Sequence, residues 1–232
     1  MKLEKVTEKG SSPSDRTEKR WYDDACGTAL ALEFVGERWA LLIIRELMFG
    51  PRRFGQIRAN LPGISANVLT QRLEGLEAAD IVVRRRLPPP ANVQAYDLTD
   101  WGREAETPIR EMGRWAARSP RHNPFAFMST ASAMISLRTL IEPARAAVAP
   151  DLTIAFRFPD DAFVARLRDG ALTVVRGESD TCDASLSGDT LAMRRTIYGK
   201  EGFDGEGLMA LDGDPAAAAA FIDLFALPEK IG

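Results

Sequence analysis

The stretch from Cys26 to Gly102 constrains this chain more than any other. It predicts a helix over Cys26 to Val35 and a second over Arg38 to Phe49, with Trp39, Leu42, Ile43 and Leu47 on one stripe. Gly50-Pro51 ends the second helix: glycine accepts a left-handed backbone, and proline cannot continue a helix. A short basic helix runs from Arg52 or Arg53 to Asn60, and Pro62-Gly63-Ile64 forms a turn. Ser65 then caps a fourth helix by accepting a bond from an otherwise unpaired backbone N–H. At 100° per residue, Leu69, Leu73 and Leu76 make one narrow buried stripe, while Asn67, Gln71 and Glu74 point the other way with Thr70 on the flank. Apart from Glu74 that outer face is uncharged, whereas a helix face that meets only water usually carries several charges.

Two strands follow, Ile81 to Leu87 and Val93 to Leu98, joined by Pro88-Pro89-Pro90-Ala91-Asn92. Three prolines cannot donate ladder bonds, so the hairpin tip belongs at an edge. Thr99 is placed to cap a helix from Asp100 to Arg118, which Pro108 should bend or split. Helix, turn, Ser-capped helix and basic hairpin together read as a winged helix-turn-helix, whose second helix enters the major groove of double-stranded DNA. Asn67, Thr70 and Gln71 are the expected base contacts, because amides both donate to and accept from adenine and threonine suits a thymine methyl. Arg52, Arg53, Ser65, Arg84 and Arg86 are the expected phosphate contacts, which fix register without reading sequence.

Charge supports this placement. The whole chain of 232 residues has a net charge of −3. From Arg38 to Arg86, however, 9 arginines face 4 acids, while from Arg121 onward 11 basic residues face 16 acidic ones. Phosphates respond to the local potential, not to the average. A second copy is expected as partner, since a monomer reads too few base pairs to find one site in a genome. The helix after the hairpin carries Trp101, Met112 and Trp115, more apolar surface than a small winged helix needs for itself.

These residues also resemble a known family. Cys26-Gly27, Val35-Gly36-Glu37-Arg38-Trp39, Ile44-Arg45-Glu46-Leu47 and Phe49-Gly50-Pro51-Arg52-Arg53-Phe54 look like the HxlR family of bacterial transcription regulators. So do Pro62-Gly63-Ile64-Ser65, Leu69-Thr70-Gln71-Arg72-Leu73 and Tyr96-Asp97-Leu98-Thr99-Asp100-Trp101-Gly102. The match runs over Trp21 to Ser119 and implies a homodimeric winged-helix DNA binder, joined through its first helix and the helix after the wing. Where members commonly have a glutamate before the wing tyrosine, this chain has Ala95, so a wing contact through that glutamate does not carry over. In some members the cysteine at the position of Cys26 senses oxidants or electrophiles. A helix start favours a thiolate, although Asp23 and Asp24 work against one here.

Beyond a Ser119–Pro124 linker and a helical segment from about Phe127 to Ala147, the apolar period changes to two. Ile154, Phe156 and Phe158 alternate with other residues, and Asp169-Gly170 is a hairpin signal between Phe163–Arg168 and Ala171–Arg176. Asp183 to Ser187 reads as another strand, and Thr190–Tyr198 and Pro215–Phe225 as helices. The expected class is therefore α+β: a winged helix followed by an α+β unit with an antiparallel sheet. The sheet from Leu152 to Arg176, the run Ala184-Ser185-Leu186-Ser187-Gly188-Asp189, and Gly213-Asp214-Pro215 leading to Phe221 and Phe225 resemble the sterol-carrier-protein type 2 fold. That resemblance implies an apolar small ligand, with Phe156, Phe158, Phe163, Leu191, Met193, Ile197, Met209 and Phe221 as candidate lining residues. The expected division is a disordered tail over 1–20, a DNA-binding and dimerisation unit over 21–120, a linker and connecting helix over 121–149, and the sterol-carrier-like unit over 150–232.

Enzyme classes find no support. His122 is the single histidine, and two distant cysteines with one histidine cannot build a zinc site. No phosphate loop or dinucleotide fingerprint occurs, and Asp160-Asp161 and Asp212/Asp214 are acid pairs at turns. No cofactor or metal is expected, nor any membrane span. Cysteine usage and the lack of an apolar leader fit a cytoplasmic protein. Two other classes stay open: a thiol-based sensor acting through Cys26, and a small-molecule binder whose winged helix only contacts proteins.

Overall fold

The computed structural model describes residues 22–232; the tail expected over 1–20 lies outside them. Helix α1 (Gly27–Val35) leads into α2 (Ala40–Leu47), α3 (Phe54–Ala59) and α4 (Ala66–Ala78). The wing is β1 (Val82–Arg86) antiparallel to β2 (Gln94–Leu98), with Arg84 opposite Tyr96 and Arg86 opposite Gln94. α2 starts later than its apolar stripe suggests. Trp39 takes a left-handed backbone with φ 80° just before it, which is rare for a bulky side chain and leaves residues 38 and 39 outside the helix. Gly50 has φ 105°, the conformation the Gly-Pro stop requires.

The helix expected from Asp100 to Arg118 is two helices, α5 (Asp100–Glu104) and α6 (Glu106–Ala117). The break falls at Ala105, three residues before Pro108, because proline fits the first turn of a new helix, where its missing N–H is not needed. Thr99 caps α5 by accepting from the backbone N–H of Gly102 at 2.9 Å. A Cβ on Gly102 would lie 2.2 Å from the carbonyl oxygen of Ile81, so only glycine lets α5 approach the wing this closely.

The segment 127–147 forms the shorter α7 (Thr130–Leu140) and α8 (Pro143–Ala146). Strands β3 (Leu152–Phe158), β4 (Asp161–Arg168), β5 (Ala171–Arg176), β6 (Ala184–Ser187) and β7 (Ala210–Gly213) form one sheet in the order β5-β4-β3-β6-β7. Helix α9 (Thr190–Ile197) lies between β6 and β7 in sequence, and α10 (Pro215–Ile222) follows β7. The chain is α+β as expected, but the sheet is mixed: β6 runs parallel to β3, with Phe156 opposite both Phe163 and Leu186. The intervening β4–β5 hairpin makes that possible, since a parallel neighbour needs a long return connection.

Two apolar cores result. One gathers Ile43, Ile44, Leu47, Ile57, Leu69, Leu73, Leu76 and Leu98 under the helix-turn-helix. The other gathers Phe156, Phe163, Phe221 and Phe225 between sheet and helices. Helix α7 serves both, sending Met134 and Leu137 into the second core and Ile135 into the first. Phe49 also borders both, packing edge-on against Phe163 at 5.2 Å between ring centres.

Candidate nucleic-acid interface

The Ser65 hydroxyl accepts from the backbone N–H of Val68 at 3.2 Å and so starts α4. Leu69, Leu73 and Leu76 are buried beneath it. On the opposite side Asn67, Thr70, Gln71 and Glu74 are exposed. Among the described residues, the side chains of Asn67, Thr70 and Gln71 have no hydrogen-bond partner. Their amides and hydroxyl are free to meet base edges, which is the inventory that groove readout needs.

The basic flank divides into free and committed arginines. Arg53, at the start of α3, is exposed, and its backbone N–H donates to Gln56 Oε1 at 2.9 Å. Arg58, on the same helix, is exposed and has no acidic partner among the described residues. Sequence reading missed Arg58; its position one helix before α4 was the available signal. Arg86 is exposed and steadies the wing tip by donating to Asn92 Oδ1 at 2.8 Å. Arg84 pairs with Glu77 of α4 at 3.0 Å and lies over the Tyr96 ring at 5.7 Å, which ties the wing to α4. That ion pair is half-exposed, and such pairs hold their partners weakly. Arg72, by contrast, clamps α4 to the segment before α2 through Glu37 at 2.8 Å and the carbonyl of Arg38 at 3.2 Å.

Arg52, expected to meet phosphate, is instead turned inward and paired within the protein. Its backbone bridges to Tyr96, donating at 2.9 Å and accepting at 2.8 Å, which turns its side chain inward. That side chain is 9% exposed and bonds the carboxylate of Asp161, whose side chain is 8% exposed. Arg176 reaches the same carboxylate at 3.0 Å and donates to the Phe49 carbonyl at 2.9 Å. Burial lowers the Arg176 pKa first, and the neighbouring Arg52 charge lowers it further, against the pull of Asp161. Asp161, read from sequence as one of a pair of turn acids, is therefore the anion of a buried cluster joining the two cores. Beside it, Glu46 is fully buried and accepts from Ser129 at 2.6 Å and Asn60 at 3.0 Å.

The expected ligand-lining residues fall differently. Phe156, Phe163, Met193, Ile197, Met209 and Phe221 are fully buried and fill the second core, with Phe156 packed 6.0 Å from Phe221. Phe158 also lies in that core and borders a polar recess with Asp161, Asp189 and Thr190. Leu191 does not face inward: it is 39% exposed, on the outer side of α9.

Cys26 is exposed immediately before α1, and its backbone N–H donates to Asp24 Oδ1 at 2.9 Å. Its thiol pKa is lowered, chiefly by the backbone N–H of Ala29 and then by Thr28. Cys182 is half-buried. Among the described residues no three His, Cys, Asp or Glu side chains converge to hold a metal. None of their helices is long and apolar enough to cross a membrane.

A family model described as HxlR-like helix-turn-helix matches residues 34–123. The regulator YodB of Bacillus subtilis (strain 168) is 41% identical over 86 residues, which cover 37% of this chain and 77% of that protein. YvaP of the same organism, described as an uncharacterized HTH-type transcriptional regulator, is 37% identical over 87 residues, covering 37% and 80%. Among solved structures, the reduced form of YodB is similar at 37% identity, covering 41% of this chain and 95% of that one with a TM-score of 0.37. The redox regulator HypR in its oxidized form follows at 30% identity, 39% and 94% coverage, and a TM-score of 0.37.

Proposed function

The chain belongs to the HxlR-like helix-turn-helix family, and on that premise we propose that it is a homodimeric, sequence-specific transcription regulator acting in the cytoplasm. One observation carries the proposal: Asn67, Thr70 and Gln71 stand exposed on α4, unpartnered among the described residues, between the arginines at α3 and those of the wing. In this reading those three side chains read bases. Arg53, Arg84, Arg86 and Ser65 hold phosphates, and Arg58 joins them. Ser65 retains its hydroxyl proton for this, since toward Val68 it only accepts.

Dimerisation is supported by apolar surface the fold leaves uncovered. Leu30 and Leu32 on α1, Trp101 on α5, and Met112 and Trp115 on α6 are all 46% exposed or more. Phe34 touches Trp101 edge-on at 5.5 Å, so α1 and α5 present their apolar groups side by side. Patches of this kind mark association surfaces. Two copies would place two α4 helices in successive major grooves, about one helical turn apart.

The chain divides, in this proposal, into a DNA-binding and dimerisation unit over 21–120, a connecting segment over 121–149, and a sterol-carrier-like unit over 150–232 that brings an apolar ligand to bear on DNA binding. The mixed sheet with α10 packed on it supports that comparison. Selection of bound duplexes from a randomised pool tests the proposal. It predicts an inverted repeat with half-sites one turn apart, and failure to enrich any sequence would contradict it.

A second reading, a thiol switch at Cys26, is favoured by the exposure of that residue and its lowered pKa. Solved structures of similar proteins include a quinone-bound YodB and an oxidized HypR. The family match begins at residue 34, so Cys26 lies before it. Here Cys26→Ser should keep DNA bound under oxidant while the unchanged protein lets go. Equal release by both proteins removes the switch.

A further inference from the structure

A cavity of about 350 Å³ lies where α2, α6, α7 and α9 meet, apart from the sheet core. Its volume falls within the range of about 300–1,000 Å³ typical of small-molecule sites. Leu41, Ile109, Met112, Ile135 and Leu140 line its body. A second recess of about 320 Å³ adjoins it and shares Leu42, Arg45, His122, Met128, Ser132 and Arg194. Among the described residues, the wall of neither contains an aspartate or glutamate.

Arg194 decides what this space suits. It is 7% exposed, yet no carboxylate lies within ion-pair distance among the described residues. Its Nε donates to the Thr190 carbonyl at 3.0 Å, and its Nη1 donates to the carbonyls of Pro124 and Ala126. Nη2 donates to no protein atom among the described residues. Burial lowers its pKa, with only the more distant Asp189 opposing. Buried cations are ordinarily paired, and an unpaired one is costly. The other basic wall groups differ. Arg45 is already neutralised by Glu46 at 2.8 Å, and His122 has its pKa lowered by burial and by Lys230 and Arg194. One turn along α9 from Arg194, Tyr198 shares a hydroxyl–hydroxyl bond of 2.6 Å with Ser136. Ser136 donates onward to the Ala133 carbonyl, so Tyr198 donates to Ser136 and keeps acceptor capacity.

We propose that this cavity binds a small apolar monocarboxylate, its head on Arg194 and its hydrocarbon body between α2, α6 and α7. The site is distinct from the sheet core of the sterol-carrier-like unit and rests on the regulator reading only for its consequence, not for the binding. Met112 belongs both to the cavity wall and to the exposed apolar face of α6, so occupancy bears directly on the surface proposed for dimerisation.

Titration calorimetry of the full chain with sodium octanoate, and separately with octan-1-ol, tests it. The expected result is one octanoate per chain, bound at least about tenfold more tightly than the alcohol, the worth of one charged hydrogen bond. Arg194→Gln should remove that preference, and Arg194→Lys should restore part of it. Because Arg194 also anchors the 124–126 segment, a second variant stands apart from it. A Cβ at Gly113 would lie 4.0 Å from Thr139 Cγ2, directed into the cavity without a clash, so Gly113→Leu should fold normally and abolish octanoate binding. Equal affinity for acid and alcohol, binding that survives Gly113→Leu, or no binding at millimolar octanoate overturns the site. Octanoate binding that leaves DNA affinity unchanged upholds the site and refutes only its regulatory role. DNA binding without octanoate binding overturns the site and leaves the DNA-binding reading standing.

Discussion

Replacing Asp161 by Asn should destabilise the protein severely, although the substitution preserves shape. The carboxylate is the shared counter-ion of Arg52 and Arg176, whose side chains are 9% and 20% exposed. Among the described residues, Arg52 Nε and Arg176 Nη2 already lack hydrogen-bond partners, so the cluster has nothing in reserve. Removing one partner of a buried ion pair typically costs about 3–5 kcal/mol, because the remaining charge is left uncompensated. Glu46 lies close enough to support Arg176 electrostatically, which places the expected loss near the lower end, about 3 kcal/mol. For a chain of this length each kcal/mol lowers Tm by roughly 2–4 °C, so scanning calorimetry should show a fall of about 6–12 °C. Replacing all three residues by apolar ones of similar volume should recover much of it, since charges and desolvation penalty leave together. A drop below about 2 °C for Asp161→Asn would mean the two arginines are solvated, and the account of the junction between the cores would be wrong.

Further expectations concern DNA and assembly. Arg53→Ala should weaken binding to all sequences and reduce the slope of log affinity against log salt by about 0.9, whereas Arg52→Gln should leave that slope alone. An equal slope change for both would return Arg52 to the phosphate contacts. Trp115→Asp places a charge where 75% of an indole is exposed, and should shift sedimentation from dimer to monomer. An unchanged dimer would move the interface off α6. Carbamidomethylation of Cys26 should accelerate as pH rises and reach half its maximal rate below the ordinary thiol pKa, because Ala29 and Thr28 stabilise the thiolate. A midpoint at or above the ordinary value would remove that stabilisation.

The parts legible in sequence are those fixed by local rules. The stripe Leu69, Leu73, Leu76 and the Ser65 cap determine both where α4 lies and which face it exposes. Thr99, Gly50 and Asp169-Gly170 likewise mark ends and turns through neighbouring backbone alone. Arg52 was misplaced because its partner Asp161 is 109 residues away, and no periodicity links the two. Leu191 was misplaced because α9 is short and its polar and apolar residues permit two rotations. The double service of α7, with Met134 and Ile135 pointing into different cores, is equally invisible, since apolar spacing shows that a helix has a buried side and not how many neighbours bury it. The cavity beside Arg194 is built from four helices separated along the chain and could only emerge in three dimensions.

Comparing the duplex motif selected by Gln71→Ala with that selected by the unchanged protein tests most directly whether the bare side of α4 reads bases. Preference should fall by about 1–3 kcal/mol at one base pair in each half-site and persist elsewhere. An identical motif from both proteins would contradict it.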